Sequence, residues 1–447
     1  MKKIIITLVS FLLIFTSIPM QAFAASGPDV AAKSAIAYIG DTNQVLWEKE
    51  SDTPYNPASV TKLMTCLLAI EQLGLDKEVT VDKSAPQIKY IVPVIHEGEV
   101  LTVEQLVYLC MLISANDAAK QLAISVSGSE KKFAKLMNER AAQIGCRNAE
   151  FHNASGTKEK CNYMSAKDMA LIAKEALSNP DLRRICGTAE YEMAATNMSP
   201  AKTLKTTNLF ISGGTLEMPN GKVSAEVYPG VFGGKTGLTL DNMCTMVVGC
   251  EMDGLEVYAA VMETTYMSKY KDIKAILDYI RNELNPYYAL KKGDDFGKTK
   301  IRFGVTNKIQ GIAADDGLIN LPEGASASLV TCDAVFDEEL KAPVEAGQTI
   351  GKVVIRIADE PVRTVDLVAA SAVKEGWFLS RFYVTNFATV IIGLVILLFT
   401  SFVLLVLILR AKNRKKRERL RKEKIREAAR KQMEQERDWN ERGWTYH

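Results

Sequence analysis

Histidine is almost missing from this chain. Its 447 residues hold three, His96, His152 and His447, which nearly excludes a zinc site built from several histidines. His447 lies beyond a long apolar stretch near the C-terminus, so a serine–histidine–acid triad could draw only on His96 or His152. Neither sits in a recognisable motif, and both read as surface or packing residues. No internal repeat is found. CxxC spacing is missing too, although the chain has eight cysteines: Cys66, Cys110, Cys146, Cys161, Cys186, Cys244, Cys250 and Cys332. An even number invites a disulfide framework if the chain is exported. Several of these cysteines lie inside apolar runs such as Tyr108-Leu109-Cys110-Met111-Leu112, and a chain of this length needs no covalent staples, so buried free thiols are expected.

Charge is missing over one long stretch. None occurs between Arg381 and Arg410, and residues 387–409 are almost wholly apolar, enough to span a bilayer with some tilt. Trp377, Phe378, Phe382 and Tyr383 precede this stretch, and Arg410, Lys412, Arg414, Lys415, Lys416, Arg417, Arg419, Arg421 and Lys422 follow it. By the positive-inside rule the large N-terminal part faces outward and the tail faces the cytoplasm. At the other end, Met1-Lys2-Lys3, an apolar run from Ile4 to Met20 and Ala22-Phe23-Ala24 have the order of a secretory signal cut after Ala24 or Ala25. The alternative is an uncleaved anchor helix.

What is there is globular: 47% hydrophobic and 24% charged residues, with length for two domains. The net charge of +2 hides an asymmetry. From Arg410 onward there are 15 basic and 7 acidic side chains, which leaves the remainder at −6. A basic tail directly behind a span fits anionic lipid heads better than nucleic acid, and no nucleic-acid partner is expected. Along the exported part, Ser34 to Glu50 reads as a hairpin around Gly40-Asp41-Thr42-Asn43. Helical spacing follows in 59–73, 102–126, 130–144 and 165–177, and short β runs return between Val223 and Met262. Strands at both ends with helices between them predict a sheet whose edges meet around a helical insertion. From about Lys291, short alternating strands predict a small β-sandwich.

The most informative stretch is Asn56-Pro57-Ala58-Ser59-Val60-Thr61-Lys62. Asn56 can cap a helix and Pro57 suits its first position. Ser59 then lies in the first turn, where free N–H groups favour a developing oxyanion. Lys62, three residues on, shares its face. A serine hydroxyl needs a base to become a nucleophile, and a neutral lysine one turn away can serve. Ser-x-x-Lys by itself is a weak signal, which two further motifs strengthen. Leu112-Ile113-Ser114-Ala115-Asn116-Asp117 places a hydroxyl and an amide between two helical stretches. Phe232-Gly233-Gly234-Lys235-Thr236-Gly237 puts a cation and a hydroxyl on a glycine-flanked β run, where missing side chains would let a substrate backbone approach the strand edge.

These three motifs in this order resemble the serine-type D-alanyl-D-alanine carboxypeptidases, the low-molecular-weight penicillin-binding proteins. The resemblance runs from about Ala35 to Val373. It includes Pro57 to Met64, Ser114-Ala115-Asn116-Asp117-Ala118, Asn208-Leu209, Gly234-Lys235-Thr236-Gly237-Leu238-Thr239 and, further on, Ala342 to Gln348. It implies an α/β fold: a β-lactamase/transpeptidase-like catalytic domain (an antiparallel sheet with a helical cluster), then a small β-sandwich domain and one C-terminal transmembrane helix. The implied division is a signal peptide at 1–24, a catalytic domain at 25–288, a β-domain at 289–373, a linker at 374–386, the span at 387–409 and a basic tail at 410–447.

The resemblance makes Ser59 the acylated nucleophile and Lys62 its base, with Ser114 relaying a proton to the leaving D-alanine. Asn116 would hold the substrate amide, and Lys235, Thr236, Gly237 and Leu238 would bind substrate. Lys235 and Thr236 would take its terminal carboxylate, and the N–H groups of Ser59 and Leu238 would form the oxyanion hole. Lys62 must then be brought from about 10.4 toward 7, roughly 4 kcal/mol, by desolvation and the charge of Lys235. The implied substrate is a peptidoglycan stem peptide ending in D-Ala-D-Ala, β-lactams are covalent inhibitors, membrane lipid is a partner, and no metal or cofactor is called for. Two stretches depart from the family pattern: Asn153-Ala154-Ser155-Gly156 where Asn-Pro-x-Gly is usual, and Asp241-Asn242-Met243 where Ala-Gly is usual. A β-lactamase shares the motifs and could use Glu150 for deacylation, though Glu150-Phe151-His152-Asn153 lacks the usual spacing. A non-enzymatic wall-binding sensor would have no need of a base beside the serine.

Overall fold

The computed structural model describes residues 27–442 apart from 89–91, 158–160, 219–220 and 240. The expected secretory signal at 1–24 and His447 lie outside the described residues. The chain divides into two compact units. The first runs to Lys291 and adds Asp316–Asp333 and Val354–Thr364. The second takes Lys292–Asp315, Ala334–Val353 and Val365 onward.

In the first unit, strands β1 (Ser34–Ile39), β2 (Val45–Lys49), β3 (Val231–Leu238), β4 (Met243–Met252) and β5 (Leu255–Thr265) form one antiparallel sheet in the order β2-β1-β5-β4-β3. The predicted hairpin is β1–β2, and β1 closes onto β5 in register from Ser34 opposite Met262 to Ile39 opposite Val257. Both faces of the central strands are covered, which is why β1, β4 and β5 read as largely apolar runs. Ile36, Tyr38, Val247, Tyr258, Ala260 and Met262 pack into the helical cluster. The alternate residues Ala35, Ala37, Ile39, Met246, Val248, Val257, Ala259 and Val261 pack into a second core.

The helical insertion comprises α1 (Lys62–Leu73), α2 (Val103–Leu112), α3 (Asn116–Ser127), α4 (Glu130–Ile144), α5 (Ala166–Ser178) and α6 (Pro180–Cys186); α7 (Ser268–Glu283) covers the second core. The first nine residues of α1 are all buried. A helix apolar on every side belongs at the centre of a cluster, and each of its buried leucines contributes about 1.5–3 kcal/mol. Local chemistry sets the ends of its neighbours. Thr102 and Gln105 form a reciprocal cap on α2, Ser165 and Asp168 do so on α5, and Gly128 and Gly145 end α3 and α4 in left-handed conformation. Cys66, Cys110, Cys146, Cys186, Cys244 and Cys250 are free thiols.

The later β texture resolves into a two-stranded pairing of Pro286–Leu290 with Gly317–Asn320 and a five-stranded sheet. The order in that sheet is Asp295–Lys300, Lys308–Ala313, Glu360–Ala369, Thr349–Ile357, Val330–Phe336. Ile301, Ile309, Val344, Ile350, Ala369 and Val373 form a small core of the second unit. One continuous helix, α8 (Asn386–Arg442), follows, and its apolar part is long enough to cross a membrane and is not covered by protein.

Candidate active site

The turn that carries Ser59 is held by neighbours on two sides. Pro57 occupies the cap position and Asn56 Oδ1 accepts the Ala58 N–H at 2.8 Å. Ala58 takes a left-handed φ of +46°, and Ala58–Thr61 forms a 3₁₀ turn leading into α1. Ser59 therefore sits three residues before the α-helix, in a tighter turn than the motif alone suggests. Thr245 Oγ1 on β4 donates to Pro57 O at 2.9 Å. A Cβ at Gly237 would meet Pro57 O at 2.8 Å, and one at Gly156 would meet Ala58 O at 1.8 Å. The glycines of β3 thus answer to internal packing: Gly233 faces Leu177 and Cys186, and Gly234 faces the β4 backbone at Val247 and Val248. The edge position of β3 is a separate fact, since β4 is its only neighbour in the sheet among the described residues.

Lys62 opens α1 and is fully buried. Its Nζ lies 2.8 Å from Ser59 Oγ, 2.6 Å from Asn116 Oδ1 and 2.8 Å from Ser155 O. Two of these partners can only accept. A neutral amine has two N–H bonds and one lone pair, so with both N–H groups donated to Asn116 and Ser155 the lone pair is left for the Ser59 hydroxyl. Burial first, and then the charge of Lys235, bring the Lys62 amine down to about 7.

Ser114 stands between α2 and α3 with φ +61°. It is half-buried, and its hydroxyl makes no hydrogen bond to any described residue. Lys235 and Thr236 are buried on β3. Lys235 Nζ donates to Thr236 O at 3.0 Å, and burial brings its amine down to about 8. Leu238, at the end of the same strand, is exposed.

Two residues near this site escaped the sequence reading. Thr207 Oγ1 lies 3.2 Å from Thr236 Oγ1. Lys269 on α7 is buried beside the rings of Tyr266 and Tyr270, and its charge acts on Lys235. Tyr270 then links the two, its hydroxyl donating to Thr207 O at 2.8 Å. Neither residue lies in a local motif; only the chain path beside β3 assembles them.

The departures from the family pattern have local explanations. Asn153 Oδ1 accepts the N–H groups of Ser155 and Gly156, and Ala154, where proline is usual, donates its N–H to Glu130 Oε1 at 3.1 Å. Asn162 Nδ2 reaches Thr61 Oγ1 and Asn153 O, both at 3.0 Å, and so ties this loop to the start of α1. Asn242 adopts φ +59° in the turn between β3 and β4, a conformation asparagine tolerates. Glu150 is exposed and pairs with His152 at 3.2 Å, while His96 is exposed.

A serine hydrogen-bonded to a buried lysine, with a second buried lysine on an edge strand, is the arrangement of the serine–lysine acyl-transfer hydrolases. The chain belongs to the D-alanyl-D-alanine carboxypeptidase family, peptidase S11, whose model matches residues 21–265; a second model, the C-terminal domain of penicillin-binding protein 5, matches residues 286–375. It is 27% identical to the D-alanyl-D-alanine carboxypeptidase DacF of Bacillus subtilis (strain 168), over 85% of this chain and 97% of that one. It is 25% identical to DacC of Escherichia coli (strain K12), over 83% and 92%. Among solved structures it shares the fold of penicillin-binding protein 5 from Haemophilus influenzae (TM-score 0.55, 22% identity, covering 79% of this chain and 100% of that one). It also shares that of PBP3 from Streptococcus pneumoniae (TM-score 0.63, 23% identity, covering 77% and 100%).

Proposed function

We propose that this hydrolase removes the terminal D-alanine of peptidoglycan stem peptides ending in D-Ala-D-Ala, through an acyl-enzyme on Ser59. Lys62 takes the hydroxyl proton as Ser59 Oγ attacks the penultimate carbonyl, and the N–H groups of Ser59 and Leu238 receive the oxyanion. Ser114 passes a proton to the departing amine. Water then attacks the ester, with Lys62 again as base, and Ser59 is released. Asn116 orients the substrate amide. Lys235 and Thr236, beside Gly237, hold the terminal carboxylate, with Lys269 as a further positive charge behind them. β-Lactams acylate the same serine. The observation that carries this reading is the Lys62 amine, with two pure acceptors on its N–H groups and Ser59 on its remaining position.

The purified full chain in detergent, incubated with a fluorescent penicillin and with a peptide ending in D-Ala-D-Ala, tests it. Covalent labelling together with release of D-alanine is expected, both abolished in Ser59→Ala. Labelling that persists in that variant would put the nucleophile elsewhere, rapid penicillin turnover would favour a lactamase, and neither activity would favour a binder.

The proposal extends to topology: a signal at 1–24, a catalytic domain at 25–288 outside the cell, a β-domain at 289–373, a linker at 374–386, a single span at 387–409 and a cytoplasmic tail at 410–447 against anionic lipid. Protease added to intact cells should digest the region before Phe387 and spare an epitope after Arg410; the reverse pattern refutes the orientation.

A further inference from the structure

Asp117 follows Asn116 in the first turn of α3 and is 2% exposed. A carboxylate near a helix N-terminus has an ordinary explanation in the helix dipole, but this one reaches out of its own helix. Its Oδ2 accepts the backbone N–H groups of both Val94 and Ile95, and its Oδ1 accepts that of Ala118 at 2.9 Å. Ile95 is itself buried in the helical core. The carboxylate therefore ties a segment more than twenty residues upstream to the turn whose preceding side chain touches Lys62 at 2.6 Å. No ion pair to Asp117 occurs among the described residues.

We propose that Asp117 is a positioning residue for acylation: by pinning the Val94–Ile95 backbone to the start of α3, it holds Asn116 Oδ1 against the Lys62 amine. The inference rests on the reading of Ser59 and Lys62 given above. The same carboxylate has an electrostatic effect that a purely mechanical tie would lack. The titratable groups that act most strongly on Lys62 are Lys235 on β3, Cys110 on α2, Cys66 on α1 and Asp117 on α3. Asp117 is the one carboxylate among them, and its charge favours the protonated lysine. Removing it lowers the Lys62 pKa further, so the amine stays neutral to lower pH.

The test is the rate of acylation of the full chain by a fluorescent penicillin as a function of pH, with thermal melting recorded in parallel. Asp117→Asn keeps the size but sets an amide donor against backbone donors. It should lower the plateau rate about ten- to a hundred-fold, as expected for a displaced catalytic contact, and move the acid limb of the profile to lower pH. Asp117→Glu keeps the charge and shifts the carboxylate by one methylene. Its limb should stay at the wild-type position while its plateau falls. A lower melting temperature in Asp117→Asn with plateau and limb unchanged would reduce Asp117 to a fold-stabilising residue and overturn the proposal. If Asp117→Asn does not fold, Asp117→Glu decides, and a full wild-type rate there overturns it. A wild-type chain that takes no label overturns the parent reading and this one together, whereas labelling lost in Ser59→Ala keeps the parent reading intact whatever Asp117 does.

Discussion

Lys62 and Lys235 are the same side chain, both withdrawn from water, at 0% and 1% exposure. Burial lowers both amines, Lys62 to about 7 and Lys235 to about 8. What separates them is company. Among the described residues Lys62 has three oxygen partners, one of them the Ser59 hydroxyl. Among the described residues Lys235 donates to one backbone carbonyl, and at neutral pH it keeps most of its charge. In the proposed mechanism the two buried lysines become a base and an anion receptor through their neighbours, with desolvation common to both.

The largest way to break this contrast is Lys62→Arg. A guanidinium stays protonated and cannot accept the serine proton, so acylation should fall by about a hundred- to ten-thousand-fold, the usual contribution of a general base. Substantial penicillin labelling in that variant would contradict a lysine base.

Next in size is Lys235→Gln. Loss of a charge-assisted contact should lower kcat/KM for a free D-Ala-D-Ala terminus by about ten- to a hundred-fold. A C-terminally amidated peptide, lacking the carboxylate, should lose much less. Any effect of Lys235 on the Lys62 pKa is common to both substrates, so the ratio between them is the quantity to measure. An unchanged ratio would refute carboxylate recognition by Lys235.

The smallest effect sharpens the contrast through pH. In the proposed mechanism Lys62 acts as the neutral amine, so kcat should fall as pH drops through about 7, and Lys235 acts as the cation, so KM should rise as pH climbs through about 8. Lys269 depresses Lys235 by its charge. Lys269→Gln should therefore raise the Lys235 pKa and carry the KM limb to higher pH, with only a few-fold change at neutrality. A KM limb that stays in place would remove Lys269 from the carboxylate subsite.

Much of the site was legible from short-range pattern. Ser59 and Lys62 are three residues apart, and helical geometry alone puts their side chains on one face, a result the 3₁₀ turn leaves intact. The long apolar C-terminal helix needed only length and the absence of charge, and the alternating faces of β1, β4 and β5 needed only a period of two. What decides whether Lys62 is a base came from elsewhere. Its third partner, the Ser155 carbonyl, lies 93 residues downstream, and that loop is fixed in turn by Asn162, Glu130 and Asn153.

The sequence by itself determined which chemical groups this protein possesses and how each is spaced along its own helix or strand, because those relations depend on backbone geometry over a few residues. Only the tertiary structure decided their pKa values and their company. Thr207 beside Thr236, Lys269 beside Lys235, and the β3 glycines packed on Leu177, Val247 and Pro57 are meetings of segments distant in the chain. Burial and Coulomb fields belong to the assembled packing, and no local motif encodes them.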